Sequence, residues 1–256
     1  MVTDEELLDV LRAAATAVAE ALGAVADWGE TGGKPGQHHS DLAADDAAVG
    51  VLLGGVGVLS EESGRHAADR PVTVVVDPLD GSTNAARGVS WWATSLCAVD
   101  GDGLRVAHVV DRRHGTVWEA ARGEGAWRDG TSIAPSACRT AAEAIVALNG
   151  WPSRRGPWRQ YRALGAASLD LCAVADGTLD GYVDCTVDEH APWDYLGGVL
   201  VCREAGAVVA DAHGRDLVAL DHGARRTPVA ACRQSMVDEL RPWAGGGDDF
   251  GAMSDP

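Results

Sequence analysis

No apolar stretch of this sequence approaches the length of about eighteen residues that predicts a membrane-spanning helix. A soluble protein with no membrane partner is therefore expected. The N-terminal segment MVTDEELLDVL begins with acidic residues and lacks the basic start and apolar centre of a signal peptide. These absences favour a cytoplasmic location.

None of the six cysteines forms a C-x-x-C pair. Most of them lie in apolar runs such as TSLCAV and VLVCREAG, and this placement predicts free thiols packed as small hydrophobic side chains in a reducing compartment. A catalytic cysteine is not expected.

Positive charge is also scarce, because 21 Lys and Arg residues face 38 Asp and Glu residues and the net charge is −17. Nucleic acid would be repelled overall, so no nucleic-acid partner is expected. An acidic excess serves solubility in many proteins. It can also include a local carboxylate cluster that only a bound cation neutralises.

The first half of the chain is predicted to combine helices with an antiparallel sheet. A capping-box pattern at Thr3 begins a first helix that ends near Trp28, and a second helix begins at Ser40 or Asp41. Between residues 92 and 127, β-rich runs separated by the turn signals DGDG and DRRHG predict an antiparallel meander.

The second half alternates short β runs with helical segments. This change of pattern predicts an N-terminal half over residues 1–132 that carries most of the site and a smaller α/β half over residues 133–244. The tail, residues 245–256, has little to bury and is predicted to be disordered.

The segment VVVDPLDGSTN, residues 74–84, ends a buried strand with two aspartates. Asp-Pro-x-Asp-Gly by itself is good β-turn chemistry, and an ordinary turn is the simplest interpretation of those five residues. However, Gly81, Ser82 and Thr83 supply a small-residue start to a following helix. Free N–H groups at a helix start favour an anion such as phosphate.

Acidic residues also lie at the ends of other predicted elements, namely Glu61, Glu62 and Asp194, and Asp45 in the second helix is a further candidate. Converging carboxylates repel one another unless a proton or a hard cation lies between them, and Mg²⁺ prefers oxygen ligands. Pro78 restricts the backbone between Asp77 and Asp80, so both carboxylates and the carbonyl between them can face one centre. A cation site beside an anion-binding helix start indicates a phosphoester site.

The motifs resemble those of the inositol monophosphatase family, which are Mg²⁺-dependent, lithium-sensitive phosphomonoesterases. DPLDGSTN resembles the signature DPxDGTxN, SEES resembles GEES, and RGEGAWRDG resembles a KGxGAFxNG turn. RALGAASLDLCAVADGTLDGYVD and WDYLGGVLVCREAGAVVAD resemble two further family blocks. In the family's order, these motifs cover most of residues 34–211. The resemblance implies a five-layer α-β-α-β-α sandwich, mixed between the α+β and α/β classes, and a homodimer.

The resemblance further implies two or three Mg²⁺ ions. The first would be held by Glu62, Asp77 and the Leu79 carbonyl, and the second by Asp77, Asp80 and Asp194. Gly81, Ser82 and Thr83 would bind phosphate through backbone N–H groups. The Ser82 hydroxyl would orient the attacking water, and Asp45 would bind a weaker third metal and help to activate that water.

The substrate side of the site is less well defined. The resemblance implies substrate contacts from Lys34, Gly165 and Ala167. The stretch before the WD motif is longer than in many members, so Asp184, Asp188 and Glu189 compete for the contact with substrate hydroxyls. His38 and His39 are interpreted as solvated loop residues, with a role in closing over substrate as the alternative.

The implied function is hydrolysis of inositol 1-phosphate or a related cyclitol, polyol or sugar phosphate by water that cations activate. The alternatives within this class are histidinol-phosphate, 3′-phosphoadenosine 5′-phosphate and fructose 1,6-bisphosphate phosphatases, since the family's metal site is common to all of them. A non-catalytic protein that binds phosphoesters or metal on the same scaffold is the alternative from another class.

Overall fold

The computed structural model describes residues 2–33 and 37–246, which form two β-sheets and six α-helices. The helices are α1 (Asp4–Ala24), α2 (His39–Leu52), α3 (Ser82–Arg87), α4 (Ala167–Ala175), α5 (Pro192–Ala205) and α6 (Gln234–Leu240). Short 3-10 helices span Ala141–Glu143 and Arg241–Trp243.

The first sheet has eight strands in the order β2-β1-β3-β4-β5-β6-β7-β8. They are β1 (Gly57–Ser60), β2 (Gly64–His66), β3 (Thr73–Asp80), β4 (Ala93–Asp100), β5 (Gly103–Asp111), β6 (Val117–Ala121), β7 (Gly125–Arg128) and β8 (Thr131–Ser132). The predicted meander is confirmed, because β4 to β7 pair antiparallel in chain order.

The second sheet has five strands in the order β10-β9-β11-β13-β12. They are β9 (Ile145–Asn149), β10 (Gln160–Arg162), β11 (Gly181–Asp184), β12 (Val208–Asp211) and β13 (Pro228–Ala231). The chain passes from one sheet to the other after β8, and the predicted division into halves at residues 132 and 133 stays a prediction.

The layers follow from which face each element buries. Helices α1 and α2 cover one face of the first sheet, α4 and α5 lie between the two sheets, and α6 covers the outer face of the second. Side chains of a strand alternate between faces, so Val74 and Val76 pack toward α1 and α2 while Val75 packs toward α4 and α5. The predicted five-layer α-β-α-β-α sandwich is confirmed, and the class is α+β.

The two predicted helix boundaries in the first half were wrong by a few residues. Helix α1 ends at Ala24 because the backbone of Val25 is extended, and Trp28 then packs edge-on against Trp92 with ring centroids 6.1 Å apart. Helix α2 begins at His39 rather than at the following two residues. Within residues 2–33 and 37–246, no helix is long and apolar enough to cross a membrane.

Candidate functional site

The two aspartates of the DPLD motif lie at the C-terminal end of β3, a strand inside the first sheet. All eight of its residues are buried, and the pairing of β3 with β4 shifts register between Asp77 and Asp80. The Asp77 Oδ1 atom accepts a hydrogen bond from the Leu79 N–H at 3.0 Å, and the Thr94 hydroxyl donates to the Pro78 carbonyl at 2.8 Å. The interrupted ladder therefore turns both aspartates toward one side.

The turn after Asp80 requires glycine. Gly81 has φ 84° and caps α3, and a Cβ atom at this position would lie 3.1 Å from the carbonyl oxygens of both Gly165 and Trp91. A side chain would therefore be strained by the backbone and by its neighbours. This close approach brings the helix start that contains Ser82 against the segment that leads into α4.

Asn84 and Ser168 join that segment to the DPLDGSTN motif. The Asn84 side-chain amide donates to the carbonyls of Leu164 and Trp91, each at 2.7 Å. The Ser168 N–H donates to Asp80 Oδ2 at 2.8 Å, and the Ser168 hydroxyl donates to the same oxygen. Gly165 thus lies beside the DPLDGSTN motif, and buried Ala167 begins the helix whose Ser168 holds Asp80; their contact with substrate stays a prediction.

The two glutamates of the SEES motif point to different surroundings. The Glu61 carboxyl lies close to Asp77, Asp80 and Asp194. The Glu62 carboxylate accepts a hydrogen bond from the Gln37 side chain. Adjacent side chains on the turn after β1 diverge, so the place beside Asp77, which the sequence motif assigned to Glu62, belongs to Glu61.

We call Glu61, Asp77, Asp80 and Asp194 the carboxylate cluster. Burial raises the pKa of Glu61 to about 8, and the charge of Asp194 acts in the same direction. Burial raises the pKa of Asp77 well above its usual range, and that of Asp80 to about 6 even though the Ser168 hydroxyl lowers it. The cluster therefore carries more negative charge than its surroundings compensate.

Asp194 is held at the first turn of α5. Its Oδ2 atom accepts a hydrogen bond from the Ala191 N–H at 2.7 Å and lies 3.3 Å from His190 Nδ1. Burial disfavours the charged imidazole, but the hydrogen bond to Asp194 and the charges of Asp194 and Asp184 raise the pKa of His190 to about 9. Sequence reasoning did not select His190, although its position four residues before Asp194 was a usable signal.

Asp45 lies on α2 and contacts the turn that carries the glutamates. It is 3 % exposed and accepts a hydrogen bond from the Ser60 hydroxyl, which in turn accepts one from the Glu62 N–H at 3.2 Å. His38 precedes the helix and is buried, with its N–H donating to Asp41 at 2.7 Å, while His39 is exposed. The interpretation of both histidines as solvated residues was therefore wrong for His38.

The predicted substrate contacts lie in different places. Asp184 is fully buried, with Oδ1 accepting hydrogen bonds from the Asn149 side chain and from the Thr186 N–H, both at 3.0 Å. Asp188 forms an ion pair with Arg215 at 2.6 Å, and Glu189 is exposed. Lys34 lies outside the described residues.

A cleft of about 310 Å³ opens in front of the carboxylate cluster. Its lining consists of Gln37, Asp41, Glu61, Glu62, Pro78, Leu79, Ser82, Trp193, His222 and Arg225. Asp184, Asp188 and Glu189 are not part of this lining. The sequence patterns did not single out Gln37, Trp193 or His222 for the site.

A larger cavity of about 590 Å³ lies elsewhere, beside Trp28, Trp92 and Arg112. Its lining contains one acidic residue, Asp111, and none of the cluster carboxylates. The smaller cleft is the better candidate because carboxylates, a hydroxyl and an arginine converge there.

The cluster fits a hard divalent cation by its donor chemistry. Within the described ranges, no three His, Cys, Asp or Glu side chains are already arranged to hold a metal ion. A cation between Glu61, Asp77, Asp80 and Asp194 would meet carboxylate oxygens, the ligands that Mg²⁺ prefers.

Comparisons with known proteins show which family the sequence matches. Residues 46–241 match the model of the inositol monophosphatase family. A protein of Archaeoglobus fulgidus named fructose-1,6-bisphosphatase/inositol-1-monophosphatase is 34% identical over 188 residues, which cover 70% of this chain and 71% of that protein. The Nus factor SuhB of Escherichia coli K12 is 32% identical over 173 residues, or 61% of this chain. The matched part of the chain spans 63% of the length of the SuhB proteins.

The fold is also similar to that of solved structures. The inositol monophosphatase of Anabaena (Nostoc) sp. PCC 7120 superposes with a TM-score of 0.75 at 25% identity, over 93% of this chain and 94% of that one. A protein of Pyrococcus horikoshii, described as having similarities to inositol-1 monophosphatase, gives a TM-score of 0.79 at 24% identity and covers 93% of this chain and 96% of its own.

Proposed function

Because this chain belongs to the inositol monophosphatase family, we propose that it is a phosphoric monoester hydrolase. Its substrate in this proposal is inositol 1-phosphate or a related cyclitol or sugar phosphate. The observation that carries the proposal is the carboxylate cluster, in which Glu61 lies close to Asp77 next to the start of α3. Relatives named for both inositol-1-monophosphatase and fructose-1,6-bisphosphatase support the substrate range.

Two or three divalent cations, which we take to be Mg²⁺, would be held by Glu61, Asp77, Asp80, Asp194 and the Leu79 carbonyl, with Asp45 beside them. When bound, they supply Lewis-acid stabilisation of phosphoryl charge and a more acidic water. Members of the family typically use divalent metal ions, and lithium sensitivity is part of the proposal.

The residues of the chain itself would position the reactants. Ser82 lines the cleft, and its hydroxyl would orient a water for in-line attack. The backbone N–H groups of Gly81, Ser82 and Thr83 would receive the phosphate oxygens at the start of α3. Ser168 holds Asp80 by two hydrogen bonds, so this carboxylate keeps a fixed orientation toward the cluster. Positioning and charge are what phosphoryl transfer chiefly requires.

Release of inorganic phosphate from a panel of monoesters, measured with and without Mg²⁺ and with added lithium, tests the proposal. The panel contains inositol 1-phosphate, fructose 1,6-bisphosphate, histidinol phosphate and 3′-phosphoadenosine 5′-phosphate. We expect Mg²⁺-dependent release from at least one ester and inhibition by millimolar lithium. Binding of esters without release would favour the non-catalytic alternative.

A homodimer in the cytoplasm is also proposed, and sedimentation velocity tests the dimer.

A further inference from the structure

The outer wall of the cleft is formed by the loop between β12 and β13, residues 212–227, which is fixed to the site at several points. Arg226 N–H donates to the His190 carbonyl at 2.8 Å, and the Tyr195 hydroxyl donates to the Leu217 carbonyl at 2.9 Å. His222 Nε2 lies 3.3 Å from the Glu61 carbonyl oxygen. This wall is therefore a built part of the cleft.

Arg225 is the arginine that this loop presents to the cleft. Its guanidinium carbon lies 5.6 Å from the centre of the Trp193 ring, and its Nη1 atom donates to the carbonyls of His222 and Ala224 at 2.9 and 2.8 Å. The His222 ring packs against the same tryptophan, with centroids 4.7 Å apart. Trp193 and two carbonyl groups thus hold the guanidinium in a defined place.

No described carboxylate forms an ion pair with Arg225, although acidic residues outnumber basic ones by 38 to 21 and three of them, Asp41, Glu61 and Glu62, line the same cleft. Its Nε and Nη2 atoms make no hydrogen bond within residues 2–33 and 37–246. An arginine fixed by neutral groups, with a fork of donors left over, is suited to bind a planar or tetrahedral oxyanion.

We propose that Arg225 determines specificity by binding a second anionic group on the substrate. The inference rests on the proposed phosphatase function and deepens it: the preferred substrate is a sugar-sized phosphomonoester that carries another phosphate or a carboxylate. The scissile phosphate lies at the carboxylate cluster, and the second anion reaches across the cleft to Arg225. An ester with an ammonium group, such as histidinol phosphate, is disfavoured because Arg225 repels it.

The test compares pairs of esters that share the scissile bond and differ in the second anion. Fructose 1,6-bisphosphate is paired with fructose 1-phosphate, and glucuronic acid 1-phosphate with glucose 1-phosphate, so the two pairs distinguish phosphate from carboxylate as the second group. We expect the wild type to prefer the member with two anions by about tenfold in kcat/KM, mainly through KM.

Arg225→Gln should bring that ratio close to one, and Arg225→Lys should restore part of it. Exposed Arg139, which makes no ion pair within the described residues, provides the matched control, and Arg139→Gln should keep the wild-type ratio. A ratio unchanged in Arg225→Gln, or an equal loss on both members of a pair, overturns the proposal, because the second result indicates a structural role only.

Measurements of ester binding distinguish a failure of this inference from a failure of the proposed phosphatase function. If no ester releases phosphate, the phosphatase function fails, and calorimetric titration of the two fructose esters in the presence of Ca²⁺ still decides the role of Arg225. Tighter binding of the bisphosphate that Arg225→Gln abolishes supports the inference. Equal affinity of wild type for the two esters contradicts it.

Discussion

Two groups of acidic side chains that are buried or half-buried in this molecule have pKa values shifted in opposite directions. Glu119 on β6 accepts hydrogen bonds from Arg12 and from His108, both at 2.8 Å, and these partners lower its pKa to about 2 despite partial burial. In the carboxylate cluster, burial raises the pKa of Glu61 to about 8, and that of Asp77 well above its usual range. Glu119 has cationic partners in the chain, whereas Glu61 and Asp77 form no ion pair in the part of the chain that the structure describes.

Asp211 resembles Glu119, because partners within the chain lower its pKa as well. Hydrogen bonds from Arg215 and from the Thr227 N–H bring its pKa well below the usual range although burial opposes this. Arg215 also pairs with Asp188, so this network fixes the loop before α5 to the β12–β13 loop. This fold thus pairs its structural acids with basic side chains, whereas Glu61 and Asp77 form no ion pair within residues 2–33 and 37–246, and shifted pKa values of this kind are common at functional sites.

The largest expected effect comes from neutralising one acid of the cluster. Asp80→Asn should lower kcat/KM for phosphate release by more than about a hundredfold, because it removes a charge from the cation site. In metal-free buffer the variant should be at least as stable as the wild type, because a repelling charge is gone. Steady-state kinetics and thermal melts measure both quantities. Near-wild-type turnover would remove Asp80 from the site.

Neutralising an acid of the paired group should have the reverse effect on stability. Asp211→Asn breaks a buried network and leaves Arg215 with one partner fewer, so we expect the free energy of unfolding to fall by about 2 to 3 kcal/mol. Urea denaturation measures the change. An unchanged midpoint would show that the network does not stabilise the fold.

The stability of the metal-free protein should depend on pH through the raised pKa values of the cluster. A carboxyl whose folded pKa is raised contributes stability below its unfolded pKa, near 4, and loses it as pH rises through the folded value. For Asp80 and Glu61 these values are about 6 and about 8, so the metal-free melting temperature should fall between pH 5 and 9. Mg²⁺ at a hundred times its dissociation constant should restore about 2.7 kcal/mol. Melts across this range, with EDTA or Mg²⁺, test the prediction, and an equal Mg²⁺ effect at pH 5 and pH 8 would contradict it.

The smallest expected effect is at Glu119. Its folded pKa is lowered from 4.5 to about 2, so its stabilisation is present above pH 4.5 and is lost as pH falls toward 2. The pair with Arg12 is partly exposed and screened, so Glu119→Gln should cost about 1 kcal/mol at pH 7 and less near pH 3. Urea midpoints at the two pH values measure this, and a pH-independent difference would indicate a packing effect instead.

The sequence predicted the fold well wherever a pattern repeats. The meander followed from alternation and turn signals, because these depend on local backbone preferences, whereas the layer order was implied by the family resemblance. It did not place the SEES glutamates, since neighbouring residues on a turn diverge and only the tertiary structure determines which one meets Asp77. Arg225 and His222 lie in an irregular loop without periodicity, so their approach to Trp193 became visible only in three dimensions.

We infer that the carboxylate cluster is a cation site whose buried carboxyl groups, with their raised pKa values, hold protons when metal is absent. Calorimetric titration of metal-free protein with Mg²⁺ at pH 7, in buffers of different ionisation enthalpy, measures affinity and proton release together. The account predicts saturable binding with release of protons, and loss of both in Asp77→Asn. Absence of binding, or binding with no proton release that Asp77→Asn leaves unchanged, would contradict it.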